Sequence, residues 1–172
     1  MKEKKIILFH NPGEENGYLS NWCISRFKTD GIEFSSMEQY MMYHKAVLFG
    51  DNAAAERILK TDECAVIKRI GREVTGYKDR IWADKRYNIV RAGAMEKFNQ
   101  NADFRHRLLE TGDSILAEAA VHDKIWGIGL SMTDQRSYDT DQWRGQNLLG
   151  KCLMDVREML KKQHSVSWSR QE

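Results

Sequence analysis

Between Gly31 and Phe49 the spacing of apolar residues changes from two to between three and four. Ile32 and Phe34 alternate with Glu33, as in a half-buried strand. Met37, Tyr40, Met41, His44 and Leu48 then recur at helical spacing. Ser35 or Ser36 is suited to cap that helix, and Glu38 falls in its first turn, where a negative charge is favoured. Ser35-Ser36-Met37-Glu38 also matches the S-x-x-E capping box, which would give Glu38 a purely structural role.

Lys5–His10 reads as a first strand, limited by Asn11-Pro12-Gly13. Arg26–Lys28 and Ile32–Phe34 flank Asp30-Gly31, a hairpin turn signal. Asp51 caps a short helix through Ala53–Ala55 to Leu59, and Thr61 or Asp62 caps another that ends at Gly71. Ile81–Phe98 carries a long helical stripe of Tyr87, Val90, Ala94 and Phe98. A shorter helix starts at Asn101-Ala102-Asp103 and stops at Gly112. Ile115–Ala120 fits strand or helix, and Met132–Gln142 reads as a mobile polar loop. Leu149, Cys152, Leu153, Val156 and Leu160 give a last helix its apolar face, with a frayed polar tail from Lys161. No regular βαβ repeat is present. The expected class is α+β: one mostly helical domain over residues 1–172, with its core at about 5–161 packed around a small β-sheet.

With 172 residues, 41% of them hydrophobic and 30% charged, the chain is long and apolar enough for a sizeable core. A net charge of +2 argues against strong nonspecific nucleic-acid binding but leaves room for a local basic groove. Cys23, Cys64 and Cys152 are odd in number and show no C-x-x-C, so neither disulfides nor a zinc site is expected, and a reducing cytoplasm is the expected location. No apolar run spans a bilayer, and the first residues lack a signal-peptide pattern, so no membrane partner is expected. His44 and His122 lack metal-ligand spacing; no metal and no cofactor are expected.

Three places combine polar and aromatic residues at element ends. They are Ser20-Asn21-Trp22; Glu38 with Lys45; and Asp123–Gly129, with Arg144–Gly150 beyond it. Glu38 and Lys45, two helical turns apart, share a face about 10 Å apart along the axis. Each residue also has a structural reading. Asn21 either contacts a ligand or closes a turn, and Asp123 is as well suited to capping the turn before Trp126. Gly127 and Gly129 either admit a pyrophosphate to backbone N–H groups or permit a tight turn. Arg144 to Asn147 either seat a phosphate at a helix N-terminus or form a loop and cap.

Taken together, these pieces resemble the NADAR domain, or YbiA-like, family. The matching stretches are Leu19–Trp22, the F-x-x-x-E-x-Y-x-x-x-x-K pattern of Phe34–Lys45, the Trp82 region, Lys97–Asn101, His122–Gly129 and Trp143–Arg157. The chain departs from the pattern at Met37, where Ser or Thr is common. The resemblance implies an N-glycosidase with a catalytic trio of Glu38, Trp82 and Asp123. Substrate contacts would fall on Asn21, Trp22, Lys45, Trp126, Gly127, Gly129, Arg144 and Asn147, with Lys45 holding phosphate. One branch of the family removes ADP-ribose from guanine in DNA, reversing a DarT-type toxin that would be a functional partner. Another cleaves phosphorylated ribosylaminopyrimidine intermediates of riboflavin synthesis. The slight basic excess and the Met132–Gln142 loop favour the first, with ADP-ribosylated single-stranded DNA as substrate. The readings from other classes are a non-catalytic ADP-ribose-binding module, which would not need Glu38, and a nucleic-acid scaffold.

Overall fold

Chain order is β1 (Ile6–Phe9), β2 (Ile24–Thr29), β3 (Ile32–Ser36), α1 (Met37–Leu48), α2 (Asn52–Leu59), α3 (Cys64–Arg72), α4 (Asp79–Gln100), α5 (Ala102–Glu110), β4 (Ile115–Glu118) and α6 (Leu148–Trp168). These elements come from a computed structural model, which describes residues 4–168. The class is α+β, as the sequence predicts. The strands pair as two separate ladders, and the described residues form two compact units.

One unit is Asn21–Asn101. Here β2 and β3 form the antiparallel hairpin, with Thr29 opposite Ile32. The two-residue turn places Asp30 at φ 51° and Gly31 at φ 82°, the left-handed pair that a tight hairpin requires. The end of β3 runs directly into α1, which packs against α2, α3 and α4. Phe34 meets the Tyr40 ring edge-on at 5.1 Å and that of Tyr43 at 5.4 Å, so hairpin and helix share an aromatic core. Gly93 lets α4 approach closely, since a Cβ there would strike the Tyr40 ring and lie 3.0 Å from Met37 Cε. The expected stop at Gly71 is not observed. Gly71 lies inside α3, and a Cβ on it would collide with the Met42 side chain of α1. Packing, not helix termination, explains this glycine.

The other unit joins the segment ending at Ser20 to the chain from Ala102 onward. Here β1 pairs in parallel with β4, Ile6 opposite Ile115, which settles the Ile115–Ala120 ambiguity as a strand. Leu8, Ala117, Ala119, Ile128 and Leu130 form its buried cluster. Helix α6 packs on β4 and buries Leu149, Cys152, Leu153, Val156 and Leu160, the predicted face. It continues to Trp168, past the point where a frayed tail is expected; residues 169–172 of that tail lie outside the described residues. The segment Met132–Gln142, expected to be a mobile loop, forms two short 3-10 turns. Asp134 and Asp139 cap them by accepting from the N–H groups of Arg136 and Asp141. Trp143 Nε1 donates to the Ser137 carbonyl at 3.0 Å and Ser137 Oγ to that of Ser131 at 2.7 Å, which tie the segment down. Among the described residues no helix is long and apolar enough to cross a membrane.

Candidate functional site

Glu38 is buried, 4% exposed, at the second position of α1. Two adjacent serines leave the helix start open in the sequence, and the structure resolves it. Ser36 is the N-cap, and its Oγ accepts the N–H of Gln39 at 3.2 Å. Gln39 Oε1 accepts the N–H of Ser35 at 2.7 Å, closing the cap in the manner of a capping box. Its Nε2 donates to the carbonyls of Ile58 and Thr61. The box is therefore built from Ser36 and Gln39, one residue later than the Ser35–Glu38 reading. The N–H of Glu38 donates to the Asn21 carbonyl at 2.9 Å, so Asn21, itself 7% exposed, is fixed beside the carboxylate-bearing turn.

Lys45 lies two turns on, as its spacing predicts. Its Nζ donates to the Gly71 carbonyl at 2.7 Å and lies 4.4 Å from the Tyr77 ring centroid and 5.8 Å from that of Trp82. Burial pulls the Lys45 pKa below the usual lysine value; the charge of Glu38 opposes that shift, and that of Arg72 adds to it. Trp82 is 5% exposed in the first turn of α4, where its N–H donates to the Lys78 carbonyl at 3.1 Å. The unit thus gathers a buried carboxylate, a half-buried ammonium and an indole. Trp22, 38% exposed, stands beside Asn21 with Lys68 Nζ 5.7 Å from its ring centroid. Gln39 and Tyr77 are the two residues here that sequence reasoning missed. A shift of the capping box by one residue would have found Gln39; Tyr77 lies in a polar loop with no periodic signal.

The remaining predicted residues form a group in the second unit. Asp123 Oδ1 accepts the N–H groups of Ile125 at 2.9 Å and Trp126 at 2.8 Å, so the turn-capping reading describes this oxygen. The segment after it zips onto the approach to α6. The N–H groups of Arg144, Gln146, Asn147, Leu148 and Leu149 donate to the carbonyls of Ile128, Lys124, Gly127, Ile125 and Trp126, respectively. Those from Gln146 to Leu149 would have to hold a phosphate at this helix start, and the loop carbonyls already take them. The loop-and-cap alternative therefore replaces the expected backbone seat. Gly127 and Gly145 make the close approach feasible: a Cβ on Gly127 would lie 2.9 Å from the Asp123 carbonyl oxygen, and one on Gly145 would collide with the Gly127 carbonyl. Gly129 has φ +70°. Asn147, an expected substrate contact, clamps the backbone of β4. The residue is 1% exposed; its Nδ2 donates to the Leu116 carbonyl at 2.8 Å and its Oδ1 accepts the N–H of Glu118 at 3.1 Å. Trp126 is half-buried, and Arg144 is exposed.

Among the described residues no three His, Cys, Asp or Glu side chains are grouped to hold a metal ion.

Comparison with known proteins gives a consistent result. The family model for the NADAR domain matches residues 8–161. The N-glycosidase R617 of Acanthamoeba polyphaga mimivirus is 40% identical over 166 residues, covering 92% of this chain and 98% of that protein. The riboflavin biosynthesis protein VVA0006 of Vibrio vulnificus (strain YJ016) is 33% identical over 154 residues, covering 90% of this chain and 38% of its own length. The NMR structure of the Escherichia coli protein YbiA superimposes with a TM-score of 0.78 at 27% identity, over 95% of this chain and 89% of that one.

Proposed function

The chain belongs to the NADAR domain family and is an N-glycosidase; from that premise we propose that it removes ADP-ribose from guanine in DNA. The observation that carries the reading is the grouping of Glu38, Lys45 and Trp82 in one unit. Hydrolysis of a ribose–nitrogen bond develops positive charge on the anomeric carbon as the base departs. Glu38 supplies a negative oxygen in a nearly water-free setting, where it stabilises that charge or takes a proton from the attacking water. The water oxygen bonds to the anomeric carbon, the carbon–nitrogen bond breaks, and the base leaves with a proton. Trp82 provides a dry wall, and Lys45 an ammonium for a substrate phosphate. The resemblance gives Asp123 the second acidic role, and its Oδ2 takes no hydrogen bond among the described residues.

In DNA the modified guanine must be single-stranded or extruded to be reached. A DarT-type toxin that attaches the ADP-ribose would be the functional partner. The cysteines are all thiols, a state suited to the reducing cytoplasm in which we place the enzyme. A second reading, cleavage of phosphorylated ribosylaminopyrimidines, is favoured by the name of the Vibrio relative.

The test incubates the protein with a single-stranded oligonucleotide carrying ADP-ribose on one guanine and, separately, with a ribosylaminopyrimidine phosphate, and follows mass. Loss of the ADP-ribosyl group with return of the unmodified strand supports the proposal. An intact oligonucleotide together with a cleaved pyrimidine riboside transfers the assignment to the second reading.

A further inference from the structure

Helix α3 carries three cations, Lys68, Arg69 and Arg72, that the reaction described above does not use. Lys68 and Arg72 are spaced i and i+4, so they project from one face of the helix. Lys68 Nζ lies 5.7 Å from the Trp22 ring centroid, and the Cys64 thiol at the start of α3 donates to the Trp22 carbonyl at 3.7 Å. At the other end, the carbonyl preceding Arg72, that of Gly71, holds Lys45 Nζ at 2.7 Å. The row therefore runs from an exposed indole past two cations to the ammonium beside Trp82. Trp22 also follows Asn21 directly, whose carbonyl takes the N–H of Glu38.

Two of the three acidic residues flanking α3 are committed elsewhere. Asp62 pairs with Arg26 at 2.7 Å, and Glu73 with Arg57 at 3.5 Å. Glu63, at the N-terminal end, is the third. Neither Lys68 nor Arg72 forms an ion pair among the described residues. Cations interleaved with an aromatic face suit a single-stranded nucleic acid, which offers successive phosphates and a base that stacks.

Resting on the N-glycosidase reading above, we propose that Trp22, Lys68 and Arg72 form the docking surface for the strand flanking the modified base, Lys68 and Arg72 each taking a phosphate and Trp22 stacking on a neighbouring base. The surface delivers the nucleotide towards Glu38 and makes a polynucleotide a better substrate than the same modified nucleoside alone.

The probe is an unmodified, fluorescein-labelled single strand of about a dozen thymidines, with binding read by anisotropy. Lys68→Ala/Arg72→Ala weakens binding about tenfold or more. It also lowers the dependence on salt by the share of two phosphates, so raising salt from about 50 to 200 mM costs the variant roughly sevenfold less affinity than it costs the original protein. Lys68→Arg/Arg72→Lys retains binding, which separates lost charge from lost fold. Trp22→Ala weakens it about tenfold, and Trp22→Phe does so less. Equal binding by the alanine pair and the original protein, or no binding by the original protein at about 50 mM salt, overturns the surface. Binding that is lost in the variant, from a protein that leaves ADP-ribosylated DNA intact, keeps the surface and refutes the DNA repair reading instead.

Discussion

Gln39, and not Glu38, closes the cap of α1: its N–H donates to Ser36 Oγ at 3.2 Å while its own side chain turns back to Ser35. The cap is thus built by the side chain that follows the buried carboxylate of Glu38. Gln39 is 2% exposed and joins Ser35 to the carbonyls of Ile58 and Thr61. Gln39→Ala leaves these buried groups without their partner and is expected to cost roughly 2–4 kcal/mol of stability. Urea denaturation measures this. Glu38→Gln keeps the side-chain shape and leaves the Ser36–Gln39 hydrogen bond in place.

Asp123 offers a cleaner separation of fold from chemistry. Its Oδ1 holds the turn through Ile125 and Trp126. Asn retains that oxygen and removes the charge; Ala removes both. Asp123→Asn is expected to keep the melting temperature of the original protein and to lower turnover by about 10² or more, as loss of an acidic catalytic group does. Asp123→Ala is expected also to lose about 1–2 kcal/mol of stability from the freed N–H groups. An Asp123→Asn variant with full turnover would restrict the residue to its turn.

Lys97 gives stability an alkaline signature. The residue is 1% exposed, and burial brings its pKa down to about 8. The unfolded chain, with an ordinary lysine pKa near 10.5, then binds more protons than the folded one between those values. The cost of charging Lys97 in the folded protein is present in full below about pH 8 and is relieved as pH rises towards 10.5. Its contribution to stability is expected to climb by about 3 kcal/mol over that window. Comparing denaturation of the original protein and Lys97→Met across the window isolates the contribution, because the methionine variant has no such climb.

Two local signals were read correctly, the hairpin turn and the face of α6, whereas α3 starts after Glu63 with no side-chain cap and not at Thr61 or Asp62. Asp30-Gly31 announced the hairpin because few other pairs tolerate two left-handed residues. The α6 face was legible from its period alone. Non-local relationships were not legible. Nothing near Ile6 indicates that it pairs with Ile115. Gly71 resembled a helix stop because its reason for being glycine is Met42 on another helix. The order in Met132–Gln142 rests on side-chain caps that look like loop polarity. In the candidate site, the seven-residue spacing of Glu38 and Lys45 was informative, whereas the adjacency of Lys45 to Trp82 is a tertiary contact. The hydrogen bonds of Asn147 to the backbone of Leu116 and Glu118 were not legible either, because those partners are far away in sequence.

The most direct test of the account is turnover by Glu38→Gln on the substrate that the original protein cleaves, measured with enzyme in excess. The amide keeps the shape of the side chain and removes its charge, and the cap at Ser36 and Gln39 is untouched. A rate lower by about 10² to 10⁴, with substrate affinity little changed, is the predicted result. A rate within a few-fold of the original would contradict the central claim and return Glu38 to a structural role.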